Sequence, residues 1–301
     1  MFAGSTVALI TPMDADGRIN HGDLARLIEF HIGSGTEALV IAGTTGESVT
    51  LTPDEHVELI DRACTLAAGR VRIVAGTGSN STAQTVELSK AVDQLPVAAF
   101  LVVTPYYNKP TQEGMYQHFT LIADAVRRPV ILYNVPGRTG VDLVPDTVIR
   151  LAGHDNIVAI KEATGDLERV EALRAGCGPE FLLLSGDDGT SCEFMLRGGN
   201  GCISVTANVV PAQMRGLCDA ARSGDRDQAT RIDSKLRALH EALFLESNPI
   251  PVKWAVERLG YAGSGIRLPL TGLAAQYHDE LLAAMRAAGI KTGERVARYA
   301  G

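Results

Sequence analysis

Ile157-Val158-Ala159-Ile160-Lys161-Glu162-Ala163-Thr164 runs four apolar residues straight into a lysine. Turn residues bound the run, Gly153 and Asn156 before it and Gly165 after it. A short, continuous apolar run with such bounds reads as a strand buried on both faces, as in parallel sheets covered by helices. Lys161 then stands at the C-terminal end of that strand, and two readings are open for it. A lysine held against apolar strand ends is desolvated, which disfavours the ammonium and leaves an amine able to attack a carbonyl. A strand-end lysine can also snorkel to solvent or pair with a carboxylate.

Outward from this stretch, apolar β-branched runs alternate with amphipathic segments. The runs fall at 6–10, 38–42, 71–75, 98–103, 130–133, 157–161, 181–185 and 201–205. Helical patterns follow each, at 23–32, 53–67, 82–92, 112–126, 145–151, 167–174, 191–197 and 211–222. Eight such units in about 220 residues are the count of an α/β protein built as a (β/α)8 TIM barrel. A doubly wound sheet is the competitor, but its GxGxxG after the first strand is missing, and Gly76-Thr77-Gly78-Ser79 resembles it only loosely. Thr52-Pro53-Asp54-Glu55 has the form of a capping box with proline at the first helical position, and Val144-Pro145 and Val210-Pro211 look like similar entries. From Asp225 onward the pattern is helical only, at 228–245, 251–259 and 273–288. The expected organisation is a catalytic barrel over 1–224 and a C-terminal helical segment over 225–301, of a kind that often packs against a neighbouring subunit.

The chain has 301 residues, 46% hydrophobic and 21% charged, which suits a globular protein with a sizeable core. Its formal net charge of -7 argues against a nucleic-acid binder, which needs a basic face. No run approaches the ~20 apolar residues of a membrane span. The N-terminus lacks the basic and apolar regions of a signal peptide, so a cytoplasmic location is expected. The five cysteines, Cys64, Cys177, Cys192, Cys202 and Cys218, form no CxxC pair. They read as buried free thiols in a reducing compartment, not as a disulfide framework or a zinc site.

In a parallel barrel every strand C-terminus opens onto one face, where the chemistry is assembled. The strand ends here carry Gly43-Thr44-Thr45-Gly46-Glu47, Thr104-Pro105-Tyr106-Tyr107-Asn108, Tyr133 to Gly140, Lys161, Ser185-Gly186-Asp187-Asp188, and Ser204 to Asn208. Hydroxyls, phenols, a guanidinium and an amine thus collect at one mouth, with no His/Cys/carboxylate set at metal spacing. The Gly43–Gly46 turn offers backbone N–H groups for a carboxylate, or is simply a βα turn capping the next helix. Tyr133, beside Lys161 in barrel order, could relay protons as carbinolamine becomes imine, or could be a packing tyrosine. Arg138 could fork onto a substrate carboxylate or make a surface salt bridge.

Gly43-Thr44-Thr45-Gly46-Glu47, Tyr133-Asn134-Val135-Pro136-Gly137-Arg138-Thr139-Gly140 and Lys161-Glu162-Ala163-Thr164-Gly165 together resemble the signatures of the dihydrodipicolinate synthase and N-acetylneuraminate lyase superfamily. The likeness runs through the whole chain, including Asn248-Pro249-Ile250-Pro251-Val252-Lys253-Trp254. It implies a class I, Schiff-base barrel that uses pyruvate and needs no metal or organic cofactor, since the lysine imine is itself the electron sink. Lys161 matches the imine-forming lysine. Thr44, Tyr107 and Tyr133 match a proton-relay triad in which the Tyr107 counterpart comes across a subunit interface. Thr44 and Thr45 match the turn that binds the pyruvate carboxylate, and Arg138 the arginine that receives the carboxylate of aspartate semialdehyde. Ile203 matches the residue whose carbonyl faces the lysine, and Gly186 lies in the matching pocket wall.

Within the superfamily, Arg138, Tyr107 and 248–254 favour the synthase branch. That branch condenses pyruvate with L-aspartate 4-semialdehyde to 4-hydroxy-tetrahydrodipicolinate, the entry to diaminopimelate and lysine. The alternatives are a pyruvate-dependent lyase of sugar or hydroxy-oxo acids, and a non-catalytic barrel that senses a small oxo-acid. The resemblance also implies a homotetramer, a dimer of tight dimers. Ser48, His56, Asn80 and Tyr106 match an interface cleft where bacterial members are often inhibited by lysine. Pro53 stands where sensitive members often have histidine, and Gln84 where they have glutamate. An amide there removes charge-assisted pairing worth about 1.5–3 kcal/mol, so weak or absent lysine inhibition is expected.

Overall fold

The structure is a computed structural model that describes residues 2–291. The final part of the expected C-terminal segment, 292–301, lies outside the described residues. The apolar runs form eight strands: β1 (Gly4–Ala8), β2 (Ala38–Ile41), β3 (Arg72–Gly76), β4 (Ala99–Val103), β5 (Val130–Asn134), β6 (Ile157–Glu162), β7 (Leu182–Ser185) and β8 (Gly201–Ser204). They pair in parallel in chain order, and β8 closes the barrel on β1 from Gly4↔Gly201 to Val7↔Ser204. The first strand starts two residues before its expected run, and the others agree to within a residue or so.

Helices α1 (His21–Gly33), α2 (Pro53–Ala67), α3 (Thr82–Val92) and α4 (Gln112–Ala125) follow the first four strands. A short turn of helix, α5 (Pro136–Thr139), and then α6 (Pro145–Ala152) follow β5. Next come α7 (Glu168–Cys177), α8 (Ser191–Leu196) and α9 (Pro211–Arg222). The capping box forms: Glu55 N donates to Thr52 Oγ1 at 3.2 Å, and Thr52 N to Glu55 Oε2 at 2.9 Å. Val144 and Val210 differ, since valine has no side-chain acceptor, and α6 and α9 start on proline alone.

Strand alternation sorts the core into two layers. Val40, Leu101, Ile131, Ala159, Leu184 and Ile203 fill the barrel lumen. Leu39, Phe100, Leu132, Ile160 and Leu183 point outward and pack under the helices. Each such side chain contributes about 1.5–3 kcal/mol when fully buried. The same period places Tyr133, two residues after Ile131, and Lys161, two after Ala159, in the lumen. Asn134 and Glu162 therefore face the helices.

The last helices, α10 (Arg226–Ala242), α11 (Ile250–Arg258) and α12 (His278–Ala287), carry Leu236, Leu239, Val252, Val256, Leu281 and Met285 into the same buried cluster as the barrel's outward layer. Their apolar stripes cover this chain's own barrel. The segment between α10 and α12 also reaches the barrel mouth. No described helix is long and apolar enough to cross a membrane. The five cysteines are unpaired, and the buried Sγ atoms of Cys202 and Cys218 lie 3.5 Å apart. Among the described residues, no group of three or more His, Cys, Asp or Glu could hold a metal ion.

Candidate active site

Two lysines are buried among the described residues, Lys161 at 5% exposure and Lys253 at 4%. Lys253, on α11, is ion-paired with Glu47, the last residue of the Gly43–Glu47 turn. Burial lowers the pKa of its ammonium, and the Glu47 carboxylate opposes that. Lys161 has no carboxylate partner among the described residues. Its chain neighbour Glu162 faces the other side of the strand and pairs with Arg169 of α7 at 3.1 Å. The snorkelling and ion-paired readings of Lys161 are thereby set aside: the side chain is enclosed and its amine is unpaired.

Tyr133 and Lys161 are register partners across β5 and β6. The Lys161 Nζ lies 4.3 Å from the centroid of the Tyr133 ring. Gly186 forms the opposite wall. A Cβ there would stand 2.8 Å from Lys161 Cε and 2.7 Å from Ala163 Cβ, so any side chain would displace the lysine stem. Ile203, 1% exposed, closes the lumen from β8.

The Gly43–Glu47 turn is set by its neighbours. Ala42 and Glu47 bracket it in the left-handed region, at φ +53 and +57, a conformation that costs non-glycine residues energy and persists only when held. Glu47 is held by Lys253 and by the Arg267 N–H, which donates to its Oε2 at 3.1 Å. Thr11 Oγ1 donates to Gly46 O at 2.6 Å. Thr45 is 2% exposed, and its Oγ1 accepts from Asn248 Nδ2 at 3.0 Å. The backbone N–H groups of Thr44 and Thr45 donate to no acceptor among the described residues. They are free to meet an anion in the manner of a nest.

Arg138 sits on α5, exposed, and its Nη2 donates to the Asn248 carbonyl at 3.1 Å. Asn248 thus touches both the Gly43–Glu47 turn and the arginine. The expected triad is incomplete within one chain. Tyr107 is 88% exposed on a left-handed backbone, φ +74, with its N–H donating to Thr139 O at 3.2 Å. Its phenol makes no hydrogen bond or ring contact with Lys161, Tyr133 or Thr44 among the described residues. No hydrogen bond joins Thr44 to Tyr133 among the described residues either.

The residues expected at a regulatory cleft follow β2, β3 and β4. Ser48 opens a short 3-10 turn, Ser48–Thr50. His56 is buried and donates from Nε2 to Gly76 O at 2.7 Å. Burial pushes its imidazole down, and the Gly76 bond opposes that. Asn80 O accepts from Asn108 Nδ2 at 2.9 Å, which ties this region to the Tyr106–Tyr107 loop. Gln84 is exposed on α3, and its Oε1 accepts from Ser79 Oγ at 3.3 Å. Pro53 is the first residue of α2, inside the capping box.

Sequence reasoning did not single out Asn248, Glu47 or Arg169 as parts of the site. The Asn248-to-Trp254 motif and the Gly43–Glu47 motif carried two of them, but the partnerships span more than two hundred residues, as |i−j| = 203 and 206 for Asn248–Thr45 and Lys253–Glu47. No local pattern encodes such pairs.

An eight-stranded parallel barrel with an enclosed, unpaired lysine beside a phenol at its C-terminal mouth defines the class of Schiff-base lyases. The Dihydrodipicolinate synthetase family model matches residues 1–288. The chain belongs to that family. It is 56% identical over 290 residues to a 4-hydroxy-tetrahydrodipicolinate synthase of Thioalkalivibrio sulfidiphilus, covering 96% of this chain and 99% of the relative. It superposes with a TM-score of 0.95, at 51% identity, on the chloride-inhibited dihydrodipicolinate synthase of Acinetobacter baumannii complexed with pyruvate, covering 97% of this chain and 100% of that one. A lysine-bound enzyme of Cyanidioschyzon merolae matches with a TM-score of 0.93 at 40% identity, covering 96% of this chain and 98% of that one. These likenesses lie in the synthase branch and not among the sugar-acid lyases.

Proposed function

We infer that the protein is a class I Schiff-base synthase that condenses pyruvate with L-aspartate 4-semialdehyde to 4-hydroxy-tetrahydrodipicolinate, the first committed step towards diaminopimelate and lysine. The observation that carries this reading is the enclosed Lys161, unpaired and 4.3 Å from the Tyr133 ring.

The Lys161 amine attacks C2 of pyruvate and the carbinolamine loses water to give an imine. Thr44 and Thr45 hold the pyruvate carboxylate through their free N–H groups. The imine draws electrons from C3, a methyl proton leaves, and the resulting enamine attacks the aldehyde carbon of the second substrate. Arg138 receives that substrate's carboxylate. The substrate's own amine then displaces Lys161 at C2, which closes the ring and frees the enzyme. One water is lost overall. Tyr133, Thr44 and a Tyr107 from a second copy relay the protons.

A dimer as the minimal active unit is supported by Tyr107, 88% exposed, and by Val49, 76% exposed, a few residues from the carboxylate turn. We extend this to a homotetramer of two such dimers. The five unpaired cysteines fit work in the cytoplasm. Incubation with pyruvate and borohydride, followed by peptide mass spectrometry, tests the mechanism. A reduced adduct on Lys161 is expected. An adduct on Lys253 or Lys109 instead, or none, would overturn it.

A further inference from the structure

Behind the lysine–tyrosine pair, on the outer face of the same two strands, lies a buried polar cluster. Asn134 and Glu162 are register partners there, one residue beyond Tyr133 and Lys161. Asn134 Nδ2 donates to Asp142 Oδ1 at 2.7 Å, and Leu143 N donates to Asn134 Oδ1 at 3.0 Å. These bonds close the base of the segment 135–141, which carries Arg138 at its apex. Arg169 of α7 joins that base to β6. Its Nη1 donates to Asp142 Oδ2 at 3.0 Å, its Nη2 to Leu143 O at 2.7 Å, and its Nε to Glu162 Oε2 at 3.1 Å. Glu162 also accepts from Thr164 N at 2.9 Å and from Asn134 Nδ2 at 3.3 Å. The side chains of Arg169 and Glu162 are 10% and 1% exposed.

We propose that Arg169 is a positioning residue that holds the Arg138 segment in place against the Lys161 strand. The proposal rests on the roles assigned above to Lys161 and Arg138. One guanidinium spans three acceptors on two elements, a rigid fork that a lysine ammonium cannot reproduce. Pyruvate binding and imine formation use the Gly43–Glu47 turn and Lys161, and the cluster touches neither the turn nor the lysine amine. Carbon–carbon bond formation needs the aldehyde placed by Arg138 against the enamine on Lys161. Loss of Arg169 should therefore spare the first half of the reaction and impair the second.

The experiment compares Arg169→Met, Arg169→Lys, Asp142→Asn and Arg138→Met in two assays: borohydride trapping with pyruvate alone, and steady-state kinetics with varied aspartate semialdehyde. Arg169→Met is expected to trap pyruvate within about twofold of the parent, while KM for the aldehyde rises on the order of tenfold or more. Arg169→Lys recovers only part of this. Asp142→Asn, whose side chain is 39% exposed and less critical to folding, shifts the aldehyde KM in the same direction by less. Trapping and aldehyde turnover falling together in Arg169→Met would mark a purely structural role and overturn the proposal. An unchanged aldehyde KM in both Arg169→Met and Asp142→Asn, with Arg138→Met impaired, would also overturn it. An Arg138→Met of normal aldehyde KM would overturn the reading of Arg138 and the proposal with it.

Discussion

Lys161 and Tyr133 face each other across β5 and β6 as direct register partners, with the amine 4.3 Å from the ring centroid. Register is what makes the pair. A slip of one residue would turn one of them out of the lumen, because side chains alternate along a strand. Their chain neighbours, Glu162 and Asn134, are turned outward by the same rule and bond to Arg169, Asp142 and Leu143 on the far side of the strands.

Gly186 lies against the lysine stem, where a Cβ would come within 2.8 Å of Cε. Gly186→Ala should push the amine aside and lower the rate of borohydride trapping with pyruvate by on the order of a hundredfold, the cost of a misplacement of about 1 Å. Trapping at the parental rate would show that the stem has room to move.

The Lys253–Glu47 pair is buried, with side chains 4% and 1% exposed. Lys253→Met strands a carboxylate in the interior and should destabilise the protein by roughly 3–5 kcal/mol. The double variant Lys253→Met/Glu47→Gln should regain part of that loss. Because Glu47 ends the turn proposed to hold the pyruvate carboxylate, KM for pyruvate should rise in the single variant. Chemical denaturation and pyruvate kinetics check both effects.

Tyr107 is 88% exposed in the single chain, so Tyr107→Phe removes nothing from the core. Its melting temperature should match the parent. Turnover should fall by on the order of a hundredfold if the phenol relays protons from a second copy. Parental turnover would remove Tyr107 from the relay.

His31 and His118 are buried, and burial pushes them down from 6.5 to about 3 and about 4. Their Nδ1 atoms meet the hydroxyls of Thr36 and Thr82 at 2.9 Å each. The folded values lie below the unfolded one, so between them the unfolded chain binds more protons. Stability should be full above pH 6.5 and fall as pH drops through the window towards about 4 and then about 3. Replacing both residues with glutamine should flatten this slope, measured by denaturant titration across the window.

Gln84 stands exposed on α3 near Asn80 and the Tyr106 loop. Free lysine should inhibit the protein weakly or not at all. Gln84→Glu restores a carboxylate for the ligand's ammonium and should tighten inhibition by roughly tenfold, the low end for a charged hydrogen bond at an exposed position. Strong inhibition of the unaltered chain at sub-millimolar lysine would contradict this.

The sequence by itself determined the barrel, the order of its strands and which residues stand at their ends. Apolar runs of period 2 and amphipathic runs of period 3.6 are local signals, and eight alternations leave one common architecture. Lys161, Tyr133 and the Gly43–Glu47 turn were legible as candidates because each sits where a run stops, while Arg138, beyond the end of its strand, was singled out by the likeness of its motif. Tertiary structure alone decided which of two buried lysines is free. Lys253 meets Glu47 and Lys161 meets no carboxylate, a distinction made by contacts 206 residues apart along the chain. The same is true of Asn248, which joins the Gly43–Glu47 turn to Arg138, and of Arg169, which ties the Arg138 segment to the lysine strand. Burial makes such partnerships obligatory, because a polar group shut away from water must find a partner. Only the closed barrel determines which residue is close enough to be that partner.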